Sequence, residues 1–201
     1  MSRSHLVVDL GGVLFQFDHA RRLRHMADTF ALPADQIDKL LWQSGFSADC
    51  DAGRYPNPVE IRQRIRAATG FIGSDDDLDV AWCSAFRPDE AVRKTLEHHR
   101  GARSLALFTN NGPLEEDVLL RLYPTMFAGF EHLLFSHRLG HRKPAPAAFD
   151  AALKRLGAAP GDILFIDDSA ANTDTARAAG WSAVLFRSVD ALEQAVRPPS
   201  A

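Results

Sequence analysis

Charged and polar side chains follow several short apolar runs that predict buried strands. Asp9 follows the run "LVV", Thr109 ends "SLALFT", Asp167 and Asp168 end "ILFIDD", and Lys143 lies in the loop after "HLLF". Ligands of open α/β sheets bind beyond the carboxyl ends of the strands, so we expect these side chains at one edge. Converging carboxylates repel each other unless a cation lies between them, and a divalent cation beside a lysine also attracts a phosphate dianion. The pattern therefore predicts a metal site that acts on phosphate.

Each of these residues also has a simpler structural explanation. Asp9 and Thr109 could form turns, Asp168 could cap the following helix, and Lys143 could be a solvated loop lysine. The functional interpretation depends on their joint placement at strand ends, because no single one of these residues is specific for chemistry.

The second half of the sequence alternates between strand and helix patterns. Short apolar runs predict strands over residues 103–109, 132–135, 162–166 and 182–186, with helical segments between them. Together with the opening strand, this alternation predicts parallel pairing through right-handed crossovers. The runs are apolar throughout, as is typical of strands that are covered on both faces. We therefore predict an α/β fold with a doubly wound, Rossmann-like parallel sheet.

A long helical insertion interrupts the predicted sheet after its first strand. Residues 18–86 show four helix patterns and no strand pattern. An insertion of this length and composition is typical of a lid over an active site. We predict a Rossmann-like core domain of residues 1–17 and 87–201, and an inserted helical cap domain of residues 18–86.

The composition narrows the class of protein. The chain has 201 residues, 46% of them hydrophobic, and a net charge of −3. Lys and Arg form no basic block, so no nucleic-acid partner is expected. No apolar run approaches the roughly 20 residues that span a bilayer, so no membrane partner is expected and the predicted location is cytoplasmic. Cys50 and Cys83 have no metal-ligand spacing and are expected to be small buried residues.

Four ordered motifs carry a resemblance to a known family. "VVDLGGVL", "LFTNN", "LGHRKPAPAAF" and "FIDDSAANTDTARAAG" resemble the motifs of the haloacid dehalogenase superfamily of aspartate-nucleophile hydrolases. Within it, the chain most resembles the subgroup that contains bacterial α-glucose-1-phosphate phosphatases and the N-terminal phosphatase domain of soluble epoxide hydrolases. The resemblance covers the whole predicted sheet domain, and the helical insertion lies where that subgroup carries its cap.

The resemblance implies roles for the residues that would hold the phosphoryl group. Asp9 would be the nucleophile that forms an aspartyl-phosphate. Thr109 would donate its hydroxyl to a phosphoryl oxygen, and Lys143 would neutralise charge on both partners. Further phosphate contacts are expected from the backbone around Gly11 and Gly12, and from Asn110 and Asn111.

The same resemblance implies a magnesium site. Asp168, a carboxylate oxygen of Asp9 and the carbonyl of Gly11 would bind Mg²⁺, and Asp167 and Asn172 would support the ion directly or through water. Oxygen ligands of this kind suit Mg²⁺ better than zinc.

The chain departs from the family pattern at Gly11. Most phosphatases of this superfamily have an aspartate at this position, which protonates the leaving oxygen. General acid assistance is typically worth about 10²–10⁴-fold, so its absence favours substrates with good leaving groups, such as a sugar 1-phosphate. Asp18 or His19 are candidates for a replacement acid.

Substrate selection is expected in the cap, for a small phosphorylated metabolite. The candidate contacts are Phe15, Gln16, Trp42, Phe46, Arg54 and Tyr55. Two alternatives remain open at this stage, a dehalogenase acting at carbon and a binding module that has lost turnover. The sequence gives no signal for an oligomeric state.

Overall fold

Five parallel strands form the central sheet of the structure, a computed structural model that describes residues 4–197. The strands of the protein are β1 (His5–Val8), β2 (Phe15–Phe17), β3 (Phe86–Pro88), β4 (Ser104–Thr109), β5 (His132–Phe135), β6 (Ile163–Asp167) and β7 (Ser182–Leu185). The sheet order is β5-β4-β1-β6-β7, so β1 lies at the centre. Residues 1–3 and 198–201, which the sequence assigns to the core domain, lie outside the described residues.

The helices fall into two groups along the chain. Between β2 and β3 lie α1 (His19–Phe30), α2 (Ala34–Asp38), a π-helical turn (Lys39–Gln43), α3 (Phe46–Asp51), α4 (Pro58–Thr69) and α5 (Asp75–Cys83). After β3 come α6 (Glu90–His99), α7 (Pro113–Leu122), α8 (Pro124–Phe127), α9 (Ser136–Leu139), α10 (Pro146–Leu156), a 3₁₀ turn (Pro160–Asp162), α11 (Ala170–Ala178) and α12 (Val189–Val196). None of the helices within residues 4–197 has the length and hydropathy of a membrane span.

The central strand β1 packs on both faces of the sheet, which confirms the predicted fold class. Leu6 and Val8 point into one hydrophobic cluster, and Val7 points into a second cluster on the opposite face. Because neighbouring side chains of a strand alternate between faces, a run that is apolar throughout fills two cores at once. The fold is therefore a doubly wound α/β sheet with an inserted helical segment.

A short antiparallel ribbon joins the sheet to the helical insertion. β2 and β3 pair there, with Phe15 opposite Pro88 and Phe17 opposite Phe86. The prediction of no strand within residues 18–86 was wrong at its end, because α5 stops at Cys83 and β3 begins at Phe86. Strands of three residues are too short to show an alternating pattern, which explains why the sequence does not reveal them.

Ion pairs fix the insertion against helix α7. Asp79 of α5 is buried and accepts two hydrogen bonds from Arg62 of α4, at 2.7 and 2.8 Å, and one from Arg121 of α7 at 2.7 Å. Arg62 also donates to Asp117 of α7 at 2.9 Å. Since a buried carboxylate needs this pairing, the network holds α4 and α5 together against α7.

Candidate active site

A buried lysine lies between two carboxylates at the carboxyl edge of the sheet. The Lys143 ammonium is 2.9 Å from Asp9 Oδ1 and 2.6 Å from Asp167 Oδ2, and it also donates to the carbonyl of Phe108 at 2.7 Å. Lys143 is only 4% exposed, so the solvated-lysine explanation is wrong. A buried ammonium of this kind must be matched by acceptors, and all three of its donors have one here.

The side chain of Asn110 holds Lys143 in place from the neighbouring strand end. Its Nδ2 donates to the carbonyl of Lys143 at 2.7 Å, and its Oδ1 accepts from the backbone N–H of Lys143 at 2.8 Å. This reciprocal pair positions the loop that carries the lysine. The side chain of Asn110 therefore supports the lysine, a role that the motif alone does not reveal.

Thr109 and Asn111 form a second pair at the same strand end. The side-chain amide of Asn111 donates to Thr109 Oγ1 at 2.7 Å. Because a hydroxyl carries one proton and accepts through its lone pairs, this bond leaves the Thr109 proton available to another acceptor. The backbone N–H of Asn111 donates in turn to Ser136 Oγ at 3.1 Å.

Three carboxylates converge at the ends of β1 and β6. Asp9, Asp167 and Asp168 each offer one oxygen, and these oxygens all lie within 4.8 Å of one another. Burial raises the pKa of Asp9 to about 6 despite the opposing charge of Lys143, and Asp167 adds to the rise. The pKa of Asp168 is also raised, first by burial and then by the charge of Asp167. A divalent cation would relieve this repulsion, and an all-oxygen donor set fits Mg²⁺.

The three carboxylates differ in how many protein groups already bind them. Asp167 accepts from Lys143, from the backbone N–H of Ser169 at 2.8 Å and from Asn172 Nδ2 at 3.0 Å. Asp9 Oδ1 accepts from the backbone N–H of Leu10 at 2.7 Å, whereas no group among residues 4–197 is hydrogen-bonded to its Oδ2. Asp167 is thus the anchored member, and Asp9 keeps an available oxygen.

Gly11 and Gly12 differ in how strictly the structure requires a glycine. Gly12 has a positive φ of 82°, and a Cβ atom there would lie 2.1 Å from Asp168 Oδ2. Gly11 lacks this restriction, because an added Cβ would lie 3.4 Å from Phe86 and 3.5 Å from Phe17. The Gly11 carbonyl accepts no hydrogen bond from the described residues, so it is free to act as a ligand.

These groups border a cavity of about 350 Å³. Of the residues predicted from the sequence for the site, the cavity is lined by Asp9, Gly11, Trp42, Thr109, Asn110, Asn111, Lys143, Asp168 and Asn172. Gly12 and Asp167 lie behind this surface and act on its members, through the contact with Asp168 and through the bond to Lys143.

Five of the six predicted substrate contacts in the cap do not line the cavity. Phe15 is fully buried and packs against the rings of Phe86, Tyr123 and Phe127. Gln16, one residue along the ribbon, accepts from Arg87 on the exposed side. Alternation along β2 turns Gln16 to the face opposite Phe15 and Phe17, and of these three residues it is Phe17 that lines the cavity.

Arg54 also lies away from the cavity, because its guanidinium pairs with Asp49 at 3.3 Å. Phe46 and Tyr55 contact each other at 5.4 Å between ring centroids, and neither lines the cavity.

The two candidates for a replacement acid have structural roles. Asp18 caps α1 by accepting from the backbone N–H of Arg21 at 2.8 Å. His19 is 3.2 Å from Asp38. Neither residue lines the cavity.

The sequence interpretation missed a set of charged residues that line the cavity, namely Arg22, Asp51, Glu115 and Arg142. One signal was available for Arg22, which shares the buried face of α1 with Met26 and Phe30 at helical spacing. An arginine in the apolar stripe of an amphipathic helix indicates a buried role.

Comparison with known proteins assigns the family. A family model for haloacid dehalogenase-like hydrolases matches residues 4–180. The chain belongs to the haloacid dehalogenase-like hydrolases. This confirms the superfamily that the four motifs predict.

Two relatives match this haloacid dehalogenase-like hydrolase over most of its length. D-ribitol-5-phosphate phosphatase of Bacteroides thetaiotaomicron is 25% identical over 189 residues, which is 88% of this chain and 88% of the relative. A phosphatase of Mycobacterium tuberculosis is 31% identical over 193 residues, which is 92% of this chain and 88% of the relative.

Solved structures agree with this assignment. A haloacid dehalogenase family enzyme from Bacteroides thetaiotaomicron, in complex with magnesium and inorganic phosphate, is similar with a TM-score of 0.77 at 26% identity, over 92% of this chain and 94% of that chain. The predicted enzyme class, a haloacid dehalogenase-like hydrolase of the phosphatase type, is confirmed by these relatives.

Proposed function

We propose that the protein is a Mg²⁺-dependent phosphomonoester hydrolase that uses Asp9 as its nucleophile. The observation that carries this proposal is the Asp9 carboxylate, which lines the cavity while Leu10 N and Lys143 fix its Oδ1 and leave Oδ2 available. A carboxylate held in one orientation beside a buried cation suits in-line attack on phosphorus. The substrate is a small phosphorylated metabolite, with a sugar phosphate such as a hexose 1-phosphate favoured.

The reaction has two steps. In the first, a bond forms between Asp9 and phosphorus while the bond from phosphorus to the ester oxygen breaks, and the departing oxygen takes a proton from water to leave as the alcohol. In the second, water attacks phosphorus and gives up a proton to the solvent, the bond to Asp9 breaks so that its carboxylate is restored, and inorganic phosphate is released. The Thr109 hydroxyl, whose oxygen already accepts from Asn111, donates to a phosphoryl oxygen, and Lys143 balances negative charge on Asp9 and on the phosphoryl group.

The carboxylate cluster supplies the metal site. Asp168, a carboxylate oxygen of Asp9 and the free carbonyl of Gly11 would hold Mg²⁺, with Asp167 and Asn172 behind them. When bound, the ion supplies positive charge that offsets the charge of the phosphoryl oxygens. The division of the chain into a core of residues 1–17 and 87–201 and a cap of residues 18–86 belongs to the same proposal.

The glycine at position 11 determines which leaving groups we expect the enzyme to prefer. A glycine donates no proton, and neither Asp18 nor His19 reaches the cavity. Hydrolysis without a side-chain acid at this position is easiest for esters with good leaving groups, such as anomeric phosphates. The relation to a D-ribitol-5-phosphate phosphatase supports a sugar or polyol phosphate, although that substrate is not an anomeric ester.

The test is phosphate release from p-nitrophenyl phosphate, α-glucose 1-phosphate and glucose 6-phosphate, with Mg²⁺ and with EDTA. Asp9→Asn removes the nucleophile, and Asp150→Asn is a matched control at an exposed carboxylate on α10. We expect turnover that needs both Mg²⁺ and Asp9, that Asp150→Asn retains, and that is faster on the 1-phosphate than on the 6-phosphate. Turnover that persists in Asp9→Asn would refute the nucleophile. Turnover of none of the esters would favour the binding module.

A further inference from the structure

We propose that Arg22, Asp51 and Glu115 form a subsite that binds hydroxyl groups of a sugar or polyol in the leaving group of the substrate. We call these three residues the polar wall. They line the same cavity as Asp9 and come from α1, α3 and α7. The inference rests on the proposed phosphatase function and adds the residues that would recognise the leaving group of the substrate.

Arg22 is the central observation. It is 3% exposed, its Nε has no hydrogen-bond partner among the described residues, and no described carboxylate pairs with it. The guanidinium lies between 5.2 and 5.8 Å from the centroids of four rings, those of Phe17, Trp42, Trp82 and Phe86. The rings hold the cation by cation–π contacts, but they leave its N–H groups without oxygen acceptors.

A buried arginine without acceptors is costly, and a bound ligand that supplies an acceptor would offset this cost. Burial lowers the pKa of Arg22, and the charge of Glu115 acts in the opposite direction. A guanidinium offers five N–H donors in a fixed plane. Arg22 lines the cavity, so an oxygen atom of a bound ligand can accept the hydrogen bonds that the guanidinium lacks.

Glu115 has the complementary feature, a buried hydrogen-bond acceptor without a donor. It is 2% exposed, and its buried Oε2 has no hydrogen-bond partner within the described part of the chain. A carboxylate only accepts, whereas Arg22 only donates. A hydroxyl both donates and accepts, so a single hydroxyl or a pair of neighbouring ones satisfies both residues.

Asp51 completes the polar wall next to an arginine. Its Oδ2 is 3.2 Å from Arg142, which also lines the cavity. Burial raises the pKa of Asp51 well above its usual range, Glu115 adds to the rise, and Arg142 opposes it. The Ser136 hydroxyl donates to the carbonyl of Asp51 at 2.7 Å, and Ser136 Oγ itself accepts from the backbone N–H of Asn111 at 3.1 Å. The wall is thus tied to the strand end that holds Thr109.

The charge balance favours hydroxyl groups over a second acidic group. The acidic residues Asp51 and Glu115 line the cavity beside its two arginines, Arg22 and Arg142. A carboxylate or second phosphate bound at Arg22 would also lie near Glu115, whose field reaches both Arg22 and Asp51. The rings of Trp42 and Phe86 line the same cavity and offer apolar surface to the carbon skeleton of a sugar.

The experiment compares kcat/KM for α-glucose 1-phosphate, p-nitrophenyl phosphate and phosphoglycolate. The first ester carries hydroxyl groups, the second carries none, and the third carries a carboxylate. The variants are Arg22→Met and Glu115→Gln, which keep side-chain size, and Arg24→Met is the matched control on the exposed side of α1.

We expect the ratio of kcat/KM for the sugar phosphate to that for p-nitrophenyl phosphate to fall by about 10- to 100-fold in Arg22→Met and in Glu115→Gln, because a hydrogen bond to a charged group is lost. Arg24→Met should keep the wild-type ratio. Thermal unfolding shows whether each variant is folded. If one of them is not, the ratio measured for the other variant tests the polar wall.

The outcomes separate this inference from the proposed function. No Asp9-dependent turnover of p-nitrophenyl phosphate by the wild type would overturn the proposed function itself. Normal turnover with an unchanged ratio in the folded variants would overturn only the polar wall. A wild-type preference for phosphoglycolate over the sugar phosphate would replace hydroxyl recognition by recognition of an acid.

Discussion

The ammonium of Lys143 lies 2.9 Å from Asp9 Oδ1, and both residues are buried. The pair occupies the centre of the sheet edge, where Asp167 approaches the same ammonium to 2.6 Å. The lysine therefore acts on two carboxylates at once. Among the described residues, Lys143 is the one cation that lies between the carboxylates of Asp9 and Asp167.

Lys143→Met should abolish most of the activity and destabilise the metal-free protein. Removing one partner of a buried ion pair typically costs about 3–5 kcal/mol, because the other charge is left uncompensated. Loss of a group that stabilises developing charge costs about 10²–10³-fold in kcat. Denaturant unfolding in EDTA and phosphate release in Mg²⁺ measure the two effects. Lys154→Met, on the exposed face of α10, is the control and should change neither.

Mg²⁺ affinity should fall as the pH drops below about 6. The pKa of Asp9 is raised to about 6 in the metal-free protein, so a proton competes with the ion for this carboxylate. Below this pH, the apparent Kd of Mg²⁺ should rise by about tenfold per pH unit, as expected when one proton is displaced. Calorimetric titration at pH 5, 6, 7 and 8 checks the slope. An affinity that is the same at pH 5 and pH 8 would contradict the assignment of Asp9 as a ligand.

The raised pKa of Asp9 also sets the direction in which the stability of the metal-free protein changes with pH. In the folded protein Asp9 binds its proton more tightly than in the unfolded chain, where its pKa is near 3.8. Its contribution to stability is therefore fully present below pH 3.8 and is lost as the pH rises through about 6. Addition of Mg²⁺ should raise the melting temperature more at pH 8 than at pH 5, and in Asp9→Asn this pH dependence should be weaker.

Gly12→Ala should be more damaging than the same change at Gly45. Both glycines have a positive φ, 82° and 86°, so alanine is strained at either position by about 1–2 kcal/mol. Only at Gly12 does the new Cβ meet Asp168, whereas nothing lies within 4 Å at Gly45. We expect weaker Mg²⁺ binding in Gly12→Ala alone, measured by calorimetry. Equal losses of Mg²⁺ affinity in the two variants would show that backbone strain, rather than the displaced Asp168, is responsible.

The sequence predicts the sheet edge well because each strand there is a short apolar run with a polar end. Asp9, Thr109 and Asp168 follow such runs directly, so the topology alone brings them together. The polar wall could not be predicted in this way. The spacing of Arg22 with Met26 and Phe30 indicates only that this arginine lies on the buried face of α1, and it is the packing of α1 against the ribbon that shows its guanidinium enclosed by rings at the cavity.

The ribbon explains a second gap between sequence and structure. Phe15, Gln16 and Phe17 are consecutive, and the sequence gives no reason to prefer one of them as a cavity residue. Pairing of β2 with β3 fixes the faces, so Gln16 points away from the face that Phe15 and Phe17 share. On that shared face Phe15 is buried in the core, and Phe17 lines the cavity. Because a slip of one residue reverses the faces of a strand, such contacts depend on register.

Gly11→Asp should improve hydrolysis of esters with poor leaving groups. The backbone at Gly11 does not have a positive φ, and an added Cβ would make ordinary contacts with Phe86 and Phe17 at 3.4 and 3.5 Å. The ring of Phe17 is 47% exposed and can move aside for a carboxyl group, whereas that of Phe86 is buried. A side chain at this point can protonate the leaving oxygen, an effect worth about 10²–10⁴-fold when the geometry is ideal.

We therefore expect Gly11→Asp to raise the ratio of kcat/KM for glucose 6-phosphate to that for α-glucose 1-phosphate by about tenfold or more. Gly11→Asn adds a side chain of the same size without an ionisable proton, and it should leave this ratio near that of the wild type. The ratio itself is the decisive measurement, since crowding against Phe86 would lower both rates together. A gain in Gly11→Asn equal to that in Gly11→Asp would show that side-chain volume, and not proton donation, limits the wild-type enzyme on ordinary alcohol esters.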